Sequence, residues 1–394
     1  MEQKTNRLHF IDAIRAWAIL MMLQGHFVDG LLDPAFRDPQ NGVYSLWLYF
    51  RGITAPVFFT VSGFIFTYLL IRVPQTGFEN PRIKKGLKRG LQLLLIGYLL
   101  RLNLFGLLQG KLYDAFFLVD VLHCIGISIM AIIAVYLLTA KLSKWALPLA
   151  LSGISIILFL FEPLYSSWTF SALPEGIANY FTRSNGSVFT VIPWVGYTAF
   201  GGFLAVLFRR YLSNKNLYST AIWLSLITGF SLIYFSSPFF YSLYELSGIS
   251  LFRDIVSNNY LFIRLGDVLI VFAVFMLIRK LLTQPTLLRI GQNTLSIYVI
   301  HFVILYGSFT GLGLYRFFHQ SLSPAVAIAG ALAFMMVCSY AALKYDRHEV
   351  MIKGHIRSTI KGGKPFALRA YYSLSELLII LQDRLLRLFN ITKG

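Results

Sequence analysis

Apolar stretches long enough to cross a bilayer recur along this chain, and no other feature limits its fold so tightly. A hydrocarbon core about 30 Å thick takes roughly 20 helical residues, and backbone inside it must satisfy its own hydrogen bonds. Of the 394 residues, 57% are hydrophobic and only 13% are charged, with a mean hydropathy of +0.66. That balance excludes an ordinary soluble domain. The pattern predicts an all-α polytopic membrane protein of about ten transmembrane helices, near 10–32, 46–71, 88–108, 115–139, 145–162, 188–208, 218–236, 261–279, 287–307 and 324–343. The first apolar segment lacks a small-residue cleavage site and carries charged residues, so it is expected to stay in the mature protein. Cys124 and Cys338 both fall in apolar segments, which suits packed thiols better than a disulfide or a metal site.

The net charge of +18 would suggest nucleic acid in a soluble protein. Here the basic residues collect in alternate loops, as the positive-inside rule requires, and nucleic acid is excluded as a partner. Arg72, Arg82, Lys84, Lys85, Lys88 and Arg89 crowd the second loop. Lys141 and Lys144, then Arg209, Arg210 and Lys215, then Arg279, Lys280 and Arg289 mark later even loops. The odd loops hold Asp33, Asp38, Glu162, Glu175, Glu245 and Asp254. An even number of spans puts both termini on one side, and the charge bias makes that side cytoplasmic. Residues 1–345 are read as one membrane domain and 346–394 as a basic cytoplasmic tail. Its 366–389 stretch has the apolar face of an interfacial helix. Two outer loops, 163–187 and 237–260, are long and aromatic, which suits either interfacial anchoring or a platform over an acceptor.

Polar residues inside apolar helices cost roughly 2.5–3.5 kcal/mol each when charged, so each needs a use or a partner. The first helix carries Arg15 and, eleven residues on, His26. They share a face about 16 Å apart along the axis. Asp12 and Asp29 stand three residues from Arg15 and His26 respectively. The plainer reading has Arg15 snorkelling to the headgroups and His26 lying at the outer boundary. The functional reading makes His26 a proton-transfer residue, Asp29 the group that orients its ring, and Arg15 an anion-gripping residue. Arg51 and Arg101 are interfacial charges or further donor contacts. Asp120 and His123 form a second acid–histidine pair, either a structural hydrogen bond or an acceptor-binding group. Pro193–Trp194 opens a glycine-rich helix, Arg264 and Asp267 are spaced for an ion pair, and His301 follows IGQNTLSIYVI. A lone histidine on an apolar face is more often packed than functional, so His301 is the weaker candidate. No HExxH, CxxC, Walker or GxGxxG pattern occurs, so metal, redox and nucleotide-fold readings lack support.

These residues resemble a family. Arg15 and His26 reproduce the Arg-x10-His pattern of the acyltransferase-3 proteins, and PVFFTVSGF and IGQNTLSIYVIH resemble later helices of the same group. HFIDAIRAWAILMMLQGHFVD, TAPVFFTVSGF and DVLHCIGIS look closer still to the bacterial heparan-α-glucosaminide N-acetyltransferase-like proteins. The resemblance covers most of residues 8–343. Ala16 stands where the acyltransferase-3 helix commonly has glycine, which leaves the subfamily and the acceptor open. The resemblance implies transfer of an acyl group, usually acetyl, from cytoplasmic acyl-CoA to a sugar hydroxyl or amine on the opposite face. His26 and Asp29 would then be catalytic. Arg15, Asp12, Arg51 and Arg101 would serve the donor, and Asp120, His123, Trp194 and His301 the acceptor. The expected partners are the bilayer, acyl-CoA and a cell-envelope glycan or glycolipid, in a bacterial plasma membrane, with a homodimer as one arrangement and no metal. The competing class is a proton-coupled transporter or lipid flippase. It also uses intramembrane His, Asp and Arg, but no inverted repeat or matched pair of broken helices supports it.

Overall fold

The computed structural model describes residues 8–354 together with Ser358. The expected interfacial helix at 366–389 lies outside the described residues. The chain divides into two compact units, Met1–Ala341 and Ala342–Gly394. In the second, the described part includes a Lys353–Glu349 ion pair and a contact from His348 Nδ1 to the Lys344 carbonyl.

The described residues are helical apart from loops and two isolated bridges. The longer helices are α1 (His9–Leu31), α2 (Gly42–Leu70), α3 (Pro81–Arg101), α4 (Val121–Thr139), α5 (Ala146–Leu160), α6 (Val191–Arg210), α7 (Leu217–Ser247), α8 (Tyr260–Leu277), α9 (Pro285–Gln292), α10 (Thr294–Tyr306) and α11 (Pro324–Gly354). Among the described residues, six segments are long and apolar enough to cross a membrane: α2, Asp114–Thr139, α6, α7, α8 and α11. The pair α9 and α10 would be a seventh, bent by 73°. Helices α1, α3 and α5 overlap expected spans but fall short of that standard. α1 carries Asp12, Arg15 and Asp29, α3 opens on a run of Lys and Arg, and α5 is 15 residues long.

Two expectations are corrected. The run near 287–307 is not one straight helix: it breaks at Asn293, where the chain leaves α9 and restarts as α10. The segment 237–260 is not a long loop, because α7 continues through Pro238 to Ser247 and a short helix, Ser250–Ser257, follows. Helix-compatible Phe, Tyr, Ser and Leu carry α7 on, and only Gly248, at φ +67, ends it.

Small residues let the helices approach closely, as membrane helix packing requires. A Cβ on Gly63 would lie 1.9 Å from the Thr198 carbonyl oxygen, and one on Gly201 would lie 1.9 Å from that of Thr60. This double contact locks α2 to α6. Gly291 meets the Asp12 carbonyl in the same way and fixes α9 to the start of α1. Phe10, Ile14, Val57, Phe64, Phe208, Val268 and Phe272 fill the core between α1, α2, α6 and α8. The free thiols of Cys124 and Cys338 are buried, as the sequence suggested.

Candidate functional site

Helix α1 is central to the site, and α10 lies beside it. The Arg15 guanidinium donates to Thr294 Oγ1 at 3.1 Å, and His26 Nδ1 lies 3.2 Å from His301 Nε2. Residue order rises in the same sense on both helices, so they run parallel. The break at Asn293 makes this possible, because it turns the chain from α9, packed on the Asp12 end of α1, into α10. Asp12 is buried, lies 3.7 Å from Arg15, and accepts from Gln292 Nε2 at 3.5 Å.

At its His26 end this pairing carries a cluster of polar rings. His301 is fully buried, and its Nδ1 meets the Tyr298 carbonyl at 2.5 Å. The Tyr306 hydroxyl lies 3.4 Å from His26 Nδ1. The rings of His26 and His301 meet edge to face with centroids 5.2 Å apart, and Tyr306 packs 6.1 Å from His26. His26 itself is only partly buried.

A strap holds this cluster together. After α10, residues 307–322 run back over the ends of α1 and α3. Phe309 exchanges backbone hydrogen bonds with Leu102 and Leu104 at 3.0 and 2.9 Å. Gln320, Ser321 and Leu322 donate to the carbonyls of Gly30 and Leu31, which α1 itself leaves unused. Phe309 and Gln320 adopt left-handed backbone at φ +72 and +51, a conformation costing about 1–3 kcal/mol for a non-glycine residue.

The remaining expected residues are sorted by their contacts. The Asp29 carboxylate is taken by Arg51, and no hydrogen bond joins it to His26 among the described contacts. The reason is its place in the last turn of α1, at the negative end of the helix, where a carboxylate needs a cation. Arg37 adds to this by donating to the Asp29 and Leu32 carbonyls. Arg51 is therefore spent on Asp29. Arg101 binds Asp120 at 3.2 Å and the Ala115 carbonyl at 3.2 Å. His123 is a capping residue, accepting the Asp120 backbone N–H at 3.1 Å while Asp120 caps α4. It is sealed against Tyr98 and Gly97. Trp194 belongs to the α2–α6 core, packed on Phe59, Phe189 and Tyr197 with its Nε1 enclosed. The Arg264–Asp267 pair forms at 2.8 Å, as its spacing predicts, and takes in Tyr49 at 2.5 Å.

The fold brings together His26 and His301, a pair the sequence reading did not join, and adds Thr294, Tyr298 and Tyr306, which that reading missed. A signal existed: Thr294, Tyr298 and His301 stand at i, i+4 and i+7 on one face of an apolar helix.

The model of the heparan-alpha-glucosaminide N-acetyltransferase catalytic domain matches residues 7–238. The chain belongs to this family. It is accordingly a membrane acetyltransferase. No curated protein matches the chain. The family match contains Arg15, His26, Asp29, Arg51, Arg101 and Asp120 and ends within α7. Thr294, His301 and Tyr306, which complete the cluster, lie beyond it.

Proposed function

We propose that the protein moves an acetyl group from cytoplasmic acetyl-CoA to an amine or hydroxyl of a sugar in a cell-envelope glycan or glycolipid on the other face of the membrane. The observation that supports this best is the pairing of α1 with α10. Arg15 is engaged at the start of that pairing and His26 at its far end, about 16 Å away by the helical rise. A donor with phosphates and a long thin arm suits such a separation. Arg15, with the basic 82–89 segment on the same side, meets the anionic end, and the thioester reaches the His26 ring.

In the transfer step His26 takes the proton from the acceptor nitrogen or oxygen as that atom attacks the thioester carbonyl. The carbon–sulfur bond then breaks, and the departing CoA thiolate recovers the proton from the imidazolium.

The orientation that accompanies this reading places both termini in the cytoplasm. Helices α1, α3 and α5 then cross the membrane with the six apolar segments and the bent pair, giving ten crossings in all. The test uses proteoliposomes with radiolabelled acetyl-CoA on one side and amino-sugar or hydroxyl acceptors on the other. Labelled acceptor should appear across the membrane from the donor. Acceptor movement without acetylation would support transport instead.

A further inference from the structure

Two polar atoms, His301 Nε2 and the Tyr306 hydroxyl oxygen, lie near one nitrogen of His26, and what stands behind His301 decides which nitrogen carries the proton. The chain of reasoning starts at Tyr298. Its backbone carbonyl can only accept, so His301 Nδ1, 2.5 Å away, must carry a hydrogen. His301 is fully buried, and no carboxylate bonds to it among the described contacts, so an imidazolium there would be an unpaired buried charge. A neutral ring with hydrogen on Nδ1 has a bare Nε2. That bare nitrogen lies 3.2 Å from His26 Nδ1. Two bare nitrogens cannot share a hydrogen bond, so the hydrogen between them sits on His26 Nδ1. The Tyr306 oxygen, 3.4 Å from the same nitrogen, is a second, weaker acceptor. His26 Nε2 has no partner among the described hydrogen bonds and is not one of the sealed polar atoms.

We propose that His301 is the positioning residue for His26: through its bare Nε2 it holds His26 in the Nδ1–H tautomer and presents the Nε2 lone pair to the acceptor. The inference rests on the reading of His26 as the base of acetyl transfer. It gives His301 the orienting role that an acidic residue plays in an acid–histidine pair, but with no net charge. Inside a membrane bundle this matters. An unpaired buried carboxylate is expensive, whereas a neutral imidazole anchored to a helix carbonyl orients its partner without that cost. His301 is itself held by Tyr298 at a ring distance of 4.8 Å and by Phe302 at 5.8 Å, so the relay ends on rigid helix rather than on a loop. The expected orienter, Asp29, is occupied by Arg51.

The test combines tautomer spectroscopy with kinetics. ¹⁵N-histidine NMR of the intact protein in nanodiscs should show His26 protonated at Nδ1 and bare at Nε2, with assignment by His26→Gln. His301→Leu, which removes the acceptor, should lower kcat by at least tenfold, toward the 10²–10⁴-fold range of a lost general base, while KM for acetyl-CoA stays unchanged. His301→Gln, whose side-chain oxygen can accept from Nδ1–H, should recover much of that loss. The opposite His26 tautomer in the wild-type spectrum would overturn the proposal. So would a folded His301→Leu protein with wild-type kcat, or equal losses in the Leu and Gln variants, which would assign His301 to packing. The two readings fail separately. An active His26→Ala protein defeats the transfer mechanism, whereas an inactive His26→Ala beside an unimpaired His301→Leu defeats only the positioning role.

Discussion

His26 with Asp29 and His123 with Asp120 are the same two residue types three positions apart, and the fold uses them in opposite ways. Asp120 stands just before α4, at the positive end of a helix, and its side chain caps the first turn while His123 completes a capping box. Asp29 stands in the last turn of α1, at the negative end, where it draws in Arg51. The first pair is joined through the Asp120 backbone N–H, with the carboxylate also held by Arg101, and becomes structure. The second is pulled apart, and His26 is left to a partner 275 residues away. Spacing makes an acid and a histidine neighbours, but the end of the helix on which they fall decides which backbone groups they can serve.

The largest test of this contrast replaces each histidine with glutamine. His26→Gln should lose transfer by 10²–10⁴-fold, since an amide hydrogen-bonds but takes no proton near neutral pH. His123→Gln should keep near-normal rate and melting temperature, because glutamine is a standard residue at that capping-box position. A rate loss in His123→Gln matching that in His26→Gln would erase the distinction.

Packing gives the next largest effect. A Cβ on Gly97 would lie 2.6 Å from the His123 ring, so Gly97→Ala should destabilise by about 1–3 kcal/mol in denaturant unfolding. Gly25→Ala, whose Cβ meets only the Arg51 Cγ at 3.7 Å, should be tolerated. Equal stability in the two variants would show that His123 is not enclosed as described.

Removing the cap is milder. Asp120→Ala should lower stability by about 0.5–2 kcal/mol through the lost cap, with a further loss from stranding Arg101, read as a drop in melting temperature. An unchanged melting temperature would deny it the capping role.

Asp29→Asn should do least. Its ion pair with Arg51 is partly exposed on both sides, at 47% and 29%, and such pairs contribute about 0–1 kcal/mol. Its transfer rate should fall only a few-fold. A loss as deep as that of His26→Gln would return Asp29 to the ring-orienting role.

Much of the membrane architecture could be read from the sequence because apolar runs and turn residues are local signals. The expected positions of α2, α4, α6 and α8 lie within a few residues of those observed. The break at Asn293 could not be read, since an apolar run looks the same whether it continues straight or turns by 73°. Nor could the extension of α7 through Pro238, because aromatic residues suit both an interfacial loop and a lipid-facing helix. At the site, Arg15 and His26 stood out by their shared face on α1. Their partners Thr294 and His301 lie on a helix remote in sequence, and nothing in local spacing records which distant helix will pack alongside. Trp194 shows the converse: an aromatic residue beside a proline suits a platform or a core, and the fold packs its ring on Phe59, Phe189 and Tyr197.

The central claim is that His26 performs the transfer while the Arg15 end holds the donor. Its most direct test measures acetyl-CoA binding and acetyl transfer on the same nanodisc preparations of wild-type and His26→Ala protein, with folding checked by thermal unfolding. The account predicts that His26→Ala binds acetyl-CoA with wild-type affinity and transfers no acetyl group above the 10²–10⁴-fold reduced level. A folded His26→Ala protein that still acetylates its acceptor at near wild-type rate would contradict it.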